Sequence, residues 1–201
     1  MVHEAVVKRI LAPPQRALVG WRRYKAGFSL AEGRSGRGVM LKRKKGEQAV
    51  GVSQSITLPA PSRRLVASCW CRTEKVTGPR SKNFGIYLDL RLADGSRLYG
   101  QAAPFETGTH GWQKAQVVVE APKPVVSLNL YVLMRGPHYG TAWVDDVEVR
   151  AEGIQGNVAR NGAFEQLGPP AVLDGIYFDS LTMGAGVRNY RREHFAEADI
   201  P

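Results

Sequence analysis

The chain has 201 residues, 43% of them apolar, which is enough for one packed domain with attached segments and excludes wholesale disorder. Its longest apolar stretches, such as residues 125–134, carry polar residues and fall short of the ~20 that a spanning helix needs, so no membrane partner is expected. Lys and Arg outnumber Asp and Glu by 28 to 18, a net charge of +10 that favours polyanions, yet no nucleic-acid-binding motif accompanies it and no nucleic-acid partner is expected.

Residues 1–19 are an N-terminal extension or first strand. Residues 1–9 lack the charged start, apolar block and cleavage site of a signal peptide, and the chain reads as an excerpt of a longer one. Residues 20–150 carry the pattern of strands and turns. Stretches 38–42, 49–58, 65–73, 84–92, 96–102, 112–120, 126–135 and 141–149 are β-rich. Turn signals separate them: Lys45-Gly46, Pro59-Ala60-Pro61, Thr77-Gly78-Pro79, Ala93-Asp94-Gly95, residues 108–111, residues 122–124 and Gly136-Pro137. Lys42-Arg43-Lys44-Lys45 is expected at a solvated hairpin tip. Short strands without helical periodicity between them predict an all-β fold, an antiparallel β-sandwich or jelly roll.

Alternation divides these strands into faces. Leu65, Ala67, Cys69 and Cys71 oppose Val66, Ser68, Trp70 and Arg72; Ile86, Leu88, Leu90 and Leu92 oppose Tyr87, Asp89 and Arg91. Ala115, Val117 and Val119 oppose Lys114, Gln116, Val118 and Glu120, and Leu128, Leu130, Val132 and Met134 oppose Asn129, Tyr131, Leu133 and Arg135. One set is core. The other mixes aromatics with hydrogen-bonding groups, the combination that meets the apolar face and hydroxyl edge of a sugar. Trp70, Tyr87 and Tyr131 are candidate platforms; Asp89, Gln116 and Asn129, with Arg72, Arg91 and Arg135, are candidate polar partners. The arginines also suit a uronate or sulfate, since a guanidinium fork matches planar oxyanions. The two cysteines, two residues apart in a strand, have Cα atoms ~6.5–7 Å apart, at the limit for a bridge, and are expected as small core residues. His110 and His138 sit at turns and are expected to be solvated; Trp21 is a candidate seal for the sandwich edge.

Over about residues 20–150 the order of motifs resembles the carbohydrate-binding modules with a galactose-binding-like jelly roll that accompany xylanases and related glycanases. The matching stretches are residues 38–41, Gln54-Ser55-Ile56-Thr57-Leu58, Ala67-Ser68-Cys69-Trp70-Cys71-Arg72, Gly111-Trp112-Gln113-Lys114 and the closing Gly140-Thr141-Ala142-Trp143-Val144-Asp145-Asp146-Val147-Glu148-Val149. The resemblance implies a galactose-binding-like sandwich that binds polysaccharide or oligosaccharide, acidic or sulfated glycans included, without catalysing anything. It also implies a secreted or cell-surface setting, a monomer tethered to a catalytic domain, and Trp112 and Trp143 in the core. A structural calcium ion is implied at Asp145 or Asp146 with backbone oxygens; the alternative is that these aspartates cap the strand end.

The family opens with an Asn-Gly-x-Phe-Glu motif before its first tryptophan. Here Asn161-Gly162-Ala163-Phe164-Glu165 follows the closing strand instead. It either starts another module or supplies the first strand in permuted order. Residues 151–201 form a C-terminal segment in which Asp174-Gly175-Ile176-Tyr177-Phe178-Asp179-Ser180 resembles a barrel strand of a glycoside hydrolase, with a short helix from Asn189. The expected function is a non-catalytic carbohydrate-binding module of a larger glycoside hydrolase; the alternative is a structural sandwich that binds no sugar.

Overall fold

The computed structural model describes residues 16–170, and the expectations for Asp174–Ser180 and the helix after Asn189 lie outside them. Its strands in chain order are β1 (Arg16–Leu18), β2 (Arg22–Arg23), β3 (Ser29–Glu32), β4 (Arg37–Arg43), β5 (Val50–Val76), β6 (Phe84–Leu92), β7 (Arg97–Pro104), β8 (Gly108–Met134), β9 (Gly140–Ala151) and β10 (Leu167–Pro170). The chain divides into two compact units, and the one built from the large sheet runs Leu18–Gly168.

Two strands organise that unit. β5 and β8 are 27 residues each; run straight, such a strand would span about 90 Å, far more than a small domain. Both therefore turn a corner and serve two layers. Residues 50–57 of β5 pair with 127–134 of β8, whose other side carries β6 and then β7, while β2 closes the opposite edge beside β5. Residues 64–76 of β5 pair with 108–120 of β8 on one side and with β9, β4 and β3 in succession on the other. The result is an antiparallel β-sandwich with two five-stranded layers joined through shared strands.

The corners lie at Pro59-Ala60-Pro61 and Pro122-Lys123-Pro124, where the register slips between Thr57 and Arg64. The sequence signals there were expected as turns between separate strands. They are instead bends within continuous ones. Proline lacks an N–H, so it fits where a ladder is interrupted and stops the strand from staying flat.

The core follows the alternation. Val52, Ile56, Leu130, Val132, Ile86 and Leu88 face inward from the first layer, and Leu65, Ala67, Cys69, Val144, Val149 and Leu41 from the second, all buried. Cys69 and Cys71 are buried free thiols, as expected of core residues.

The unit takes in residues beyond Arg150. Phe164 is fully buried and lies 5.2 Å from the Trp21 ring, whose Nε1 donates to the Asn161 carbonyl at 2.9 Å. Asn161 adopts a left-handed backbone, and its side chain spans Val19 and Gln166. Gly162 is pressed against the Val147 carbonyl, where a Cβ would collide with backbone. The Asn-Gly-Ala-Phe-Glu stretch is thus a turn that completes this core beside Trp21, neither the start of a separate module nor a strand.

Candidate functional site

The outward face of the first layer holds a cleft of about 400 Å³. Cross-strand register builds it. Tyr131 and Asn129 of β8 lie opposite Ser53 and Ser55 of β5 on one side, and opposite Tyr87 and Asp89 of β6 on the other. These residues share a face because their sequence neighbours are buried: Leu128 and Leu130 in β8, Leu88 and Leu90 in β6, and Val52, Gln54 and Ile56 in β5. The cleft is lined by Tyr131, Asn129, Asp89 and Arg91, together with Ser55, Thr57, Ser127, Arg97 and Tyr99.

The aromatic wall is a chain of edge-to-face contacts. Tyr131 meets Tyr24 at 5.5 Å between ring centres and Tyr87 at 6.0 Å. Arg135 braces it: its guanidinium lies 5.1 Å over the Tyr87 ring, its Nε donates to Asn83 Oδ1 at 3.0 Å, and Nη1 reaches the Tyr24 hydroxyl at 3.5 Å. Arg135 therefore positions the tyrosines rather than standing free for a ligand. Burial, and next the charge of Asp89, push the Tyr87 and Tyr131 hydroxyls above the usual phenol pKa, so both stay neutral donors and acceptors.

The polar groups are also fixed. Asp89 Oδ1 accepts the N–H of Gly100 at 3.0 Å, and Gly100 holds φ +73°, a conformation suited to glycine. Asn129 Oδ1 accepts from Ser55 Oγ at 2.8 Å, which leaves its amide N–H groups for a ligand. Arg91 and Arg97 are cross-strand partners, both exposed, and put two guanidinium groups at one end of the cleft. Tyr99, 59% exposed, overhangs the same end. Sequence alternation pointed to Tyr87, Asp89, Arg91, Asn129, Tyr131 and Arg135 on this face. It missed Tyr24, which lies outside any regular strand, and Tyr99 and Arg97, whose strand β7 takes up the extra residue of a bulge opposite Leu88–Leu90.

Trp70, Arg72 and Gln116 are elsewhere. They belong to the outward face of the second layer, reached after β5 and β8 turn their corners. Trp70 is half-buried with the Arg34 guanidinium 4.4 Å over its ring, so it is no platform beside the tyrosines. Gln116 lines a different cleft of about 430 Å³ along the edge of β8, with Arg80 and Glu106. Trp112 and Trp143, expected in the core, are half-buried on this same outward face, because their neighbours Ala142 and Val144 take the inward positions.

Asp145 and Asp146 sit at a β-bulge: between Ser68 and Trp70 the β5 register advances two residues while β9 advances three, and Asp146 takes up the extra one with φ +50°. The bulge turns Asp145 under the 33–37 loop, fully buried. Its Oδ2 accepts from the backbone N–H groups of Arg34 at 2.8 Å and Ser35 at 3.2 Å, and Oδ1 from that of Asp146 at 2.7 Å. Asp146 Oδ2 pairs with Arg34 Nε at 3.1 Å. From the other side Glu165 Oε1 accepts the Arg37 N–H at 2.6 Å. These carboxylates face N–H donors and a guanidinium, an environment that a divalent cation does not share, and no cluster of metal-ligating side chains occurs among the described residues. Calcium at Asp145 and Asp146 does not fit. The aspartates fasten the loop.

His138 departs from expectation. It is fully buried, with Nε2 2.9 Å from Ser81 Oγ and Nδ1 2.8 Å from the Thr77 carbonyl, and it ties the 77–81 loop to the turn after β8. His110 is half-buried against the Thr107 carbonyl.

No protein-family model matches the chain. Among solved structures, it is similar to the CBM22-1 xylan-binding domain of Paenibacillus barcinonensis Xyn10C, at 16% identity over 71% of this chain and 92% of that one, with a TM-score of 0.52. It is also similar to the Clostridium thermocellum xylanase 10B CBM22-1–GH10 structure complexed with xylohexaose, at 16% identity over 73% of this chain and 29% of that one, TM-score 0.50. The chain has the β-sandwich fold of these xylanase-associated modules. Among curated proteins, 88 residues are 28% identical to the tRNA nuclease WapA of Bacillus subtilis (strain 168), covering 43% of this chain. The same figures hold for the tRNA3(Ser)-specific nuclease WapA of Bacillus spizizenii. The chain spans about 4% of the length of these curated relatives.

Proposed function

We propose that the chain is a non-catalytic carbohydrate-binding module whose ligand lies in the cleft of the first layer. The observation that carries this is the juxtaposition of one exposed and one half-buried tyrosine with planar polar groups. Tyr131 and Tyr99 stand beside Asp89, Asn129, Arg91 and Arg97 in an open trough on a rigid sheet. A sugar ring laid there has an aromatic under its C–H face and paired donors and acceptors at its hydroxyl edge. Asp89 and Asn129 are held in place before binding, which lowers the ordering cost. Asp89 is the single carboxylate among the described residues that line the cleft, whereas glycoside hydrolysis requires two flanking the scissile bond.

The similar Paenibacillus barcinonensis domain is named for xylan binding and xylan is the first glycan to test, with the Arg91–Arg97 pair extending the candidates to acidic chains. Tethering to a glycoside hydrolase, with a secreted or cell-surface setting, completes the proposal. Affinity gel electrophoresis against xylan, β-glucan, galactan, arabinan and polygalacturonate tests it: retardation in at least one gel, weakened by Tyr131→Ala, is expected. Unretarded migration in all of them would instead favour a sandwich that only packs on a neighbouring domain.

A further inference from the structure

The outward face of the second layer is chemically distinct from the cleft. It carries Trp70, Trp112 and Trp143, three of the four tryptophans in the chain; the fourth, Trp21, is buried in the core. Arg72 is the cross-strand partner of Trp143, and its guanidinium lies 4.3 Å from the centre of that ring and 5.6 Å from the centre of Trp112. The cation is clamped between two indoles.

Arg72 differs from its neighbours in lacking an anion. Arg34, stacked on Trp70, is paired with Asp146, and Arg150 with Glu148. Among the described residues no carboxylate pairs with Arg72, and its Nε is buried with no hydrogen-bond partner. A partly desolvated guanidinium without a counter-charge is costly to keep. Nε is the guanidinium nitrogen nearest the main chain, so the two terminal nitrogens extend furthest from the strand and form the planar fork that matches a carboxylate. The indoles on either side restrict the fork's rotation and offer apolar surface to a ring.

The surrounding charges narrow the ligand. Glu74, Glu148 and Asp146 share the face. A nucleic-acid backbone, with a phosphate at every nucleotide, would meet these acids repeatedly. A polysaccharide with one carboxylate per sugar needs a single fork per contact and leaves the Arg34–Asp146 and Arg150–Glu148 pairs intact. We propose that this face is a second glycan site, separate from the tyrosine cleft and selective for uronic-acid sugars, with the carboxylate on Arg72 and the sugar ring against Trp112 or Trp143.

The two faces are separable by spectroscopy, because the cleft holds tyrosines and this face holds the tryptophans. Titrating the full chain with trigalacturonate should change tryptophan emission saturably, while the fully methyl-esterified trimer, the same sugar without charge, should not. Arg72→Gln should weaken the response at least tenfold, and Arg72→Lys, which keeps the charge but loses the fork, should recover little of it. Melting curves identify any variant that fails to fold, and the esterified ligand tests the wild type without mutation. Tyr131→Ala should leave the emission response intact, so failure of the cleft and failure of this site are distinguishable. An unchanged emission spectrum, an equal response to the ester, or tighter binding of poly(A) with a steep salt dependence would each overturn the proposal.

Discussion

Phe164 packs on Trp21 with ring centres 5.2 Å apart, joining residues from opposite ends of the compact unit. The unit is therefore not complete at the closing strand. Phe164→Ala should cost about 3–5 kcal/mol in a denaturant titration, the usual penalty for emptying a buried aromatic site. A chain ending at Arg150 should fail to give a cooperative transition. A loss under 1 kcal/mol from Phe164→Ala would mean that the turn is not part of the core.

The loop between β3 and β4 is fastened by carboxylates that accept N–H groups, so its stability should be indifferent to divalent metal. Thermal melts in EDTA and in excess calcium should have the same midpoint. A rise of several degrees with calcium would contradict the assignment of Asp145 to the loop backbone.

Burial, opposed only in part by the N–H groups of Ser35, Asp146 and Arg34, raises the Asp145 pKa above the ordinary carboxylate value. The folded state thus holds this proton more tightly than the unfolded state. Its destabilising effect is absent in acid and sets in as pH rises from about 3.9 through the raised folded value. The stability of the wild type minus that of Asp145→Asn should therefore fall with rising pH across this window. Urea titrations at several pH values check the sign, and a difference that grows with pH would refute it.

Burial also lifts the thiol pKa values of Cys69 and Cys71 well above the usual range, with each other's proximity adding to the effect at Cys71. Neither should react with a thiol-exchange reagent at pH 8 in the native protein, and both should react after unfolding. Stoichiometric modification of the native chain would show that the second layer opens readily.

Much of this architecture is legible in the sequence, because strand alternation is a local property. Leu88 and Leu130 facing inward place Tyr87, Asp89, Asn129 and Tyr131 outward without any tertiary information. What alternation cannot supply is which strands share a layer. Trp70 and Tyr87 have equivalent patterns, and only the corners at residues 59–63 and 121–124 assign them to different faces. The proline signals at these corners are the same as those of a loop. Residues outside long strands were equally opaque: Tyr24 joins the cleft, and Phe164 the core, through contacts with residues more than a hundred positions away.

The polar floor of the cleft should matter as well as its aromatic wall. Asp89→Asn keeps the size of the side chain but removes its charge, and Asn129→Ala removes the amide that Ser55 orients. Each should weaken glycan binding about 5- to 30-fold, the effect of losing a hydrogen bond of ~1–2 kcal/mol, with little change in melting temperature. Isothermal titration beside thermal melts separates the two effects.

The central claim, that a glycan lies in the tyrosine cleft, is tested most directly by amide chemical-shift mapping with an oligosaccharide of whichever polysaccharide retards the chain most in affinity gels. Shifts are predicted to cluster at residues 55–57, 89–91, 97–100 and 127–131, and to vanish in Tyr131→Ala at the same ligand concentration. Shifts that avoid these segments, or that persist unchanged in the variant, would contradict it.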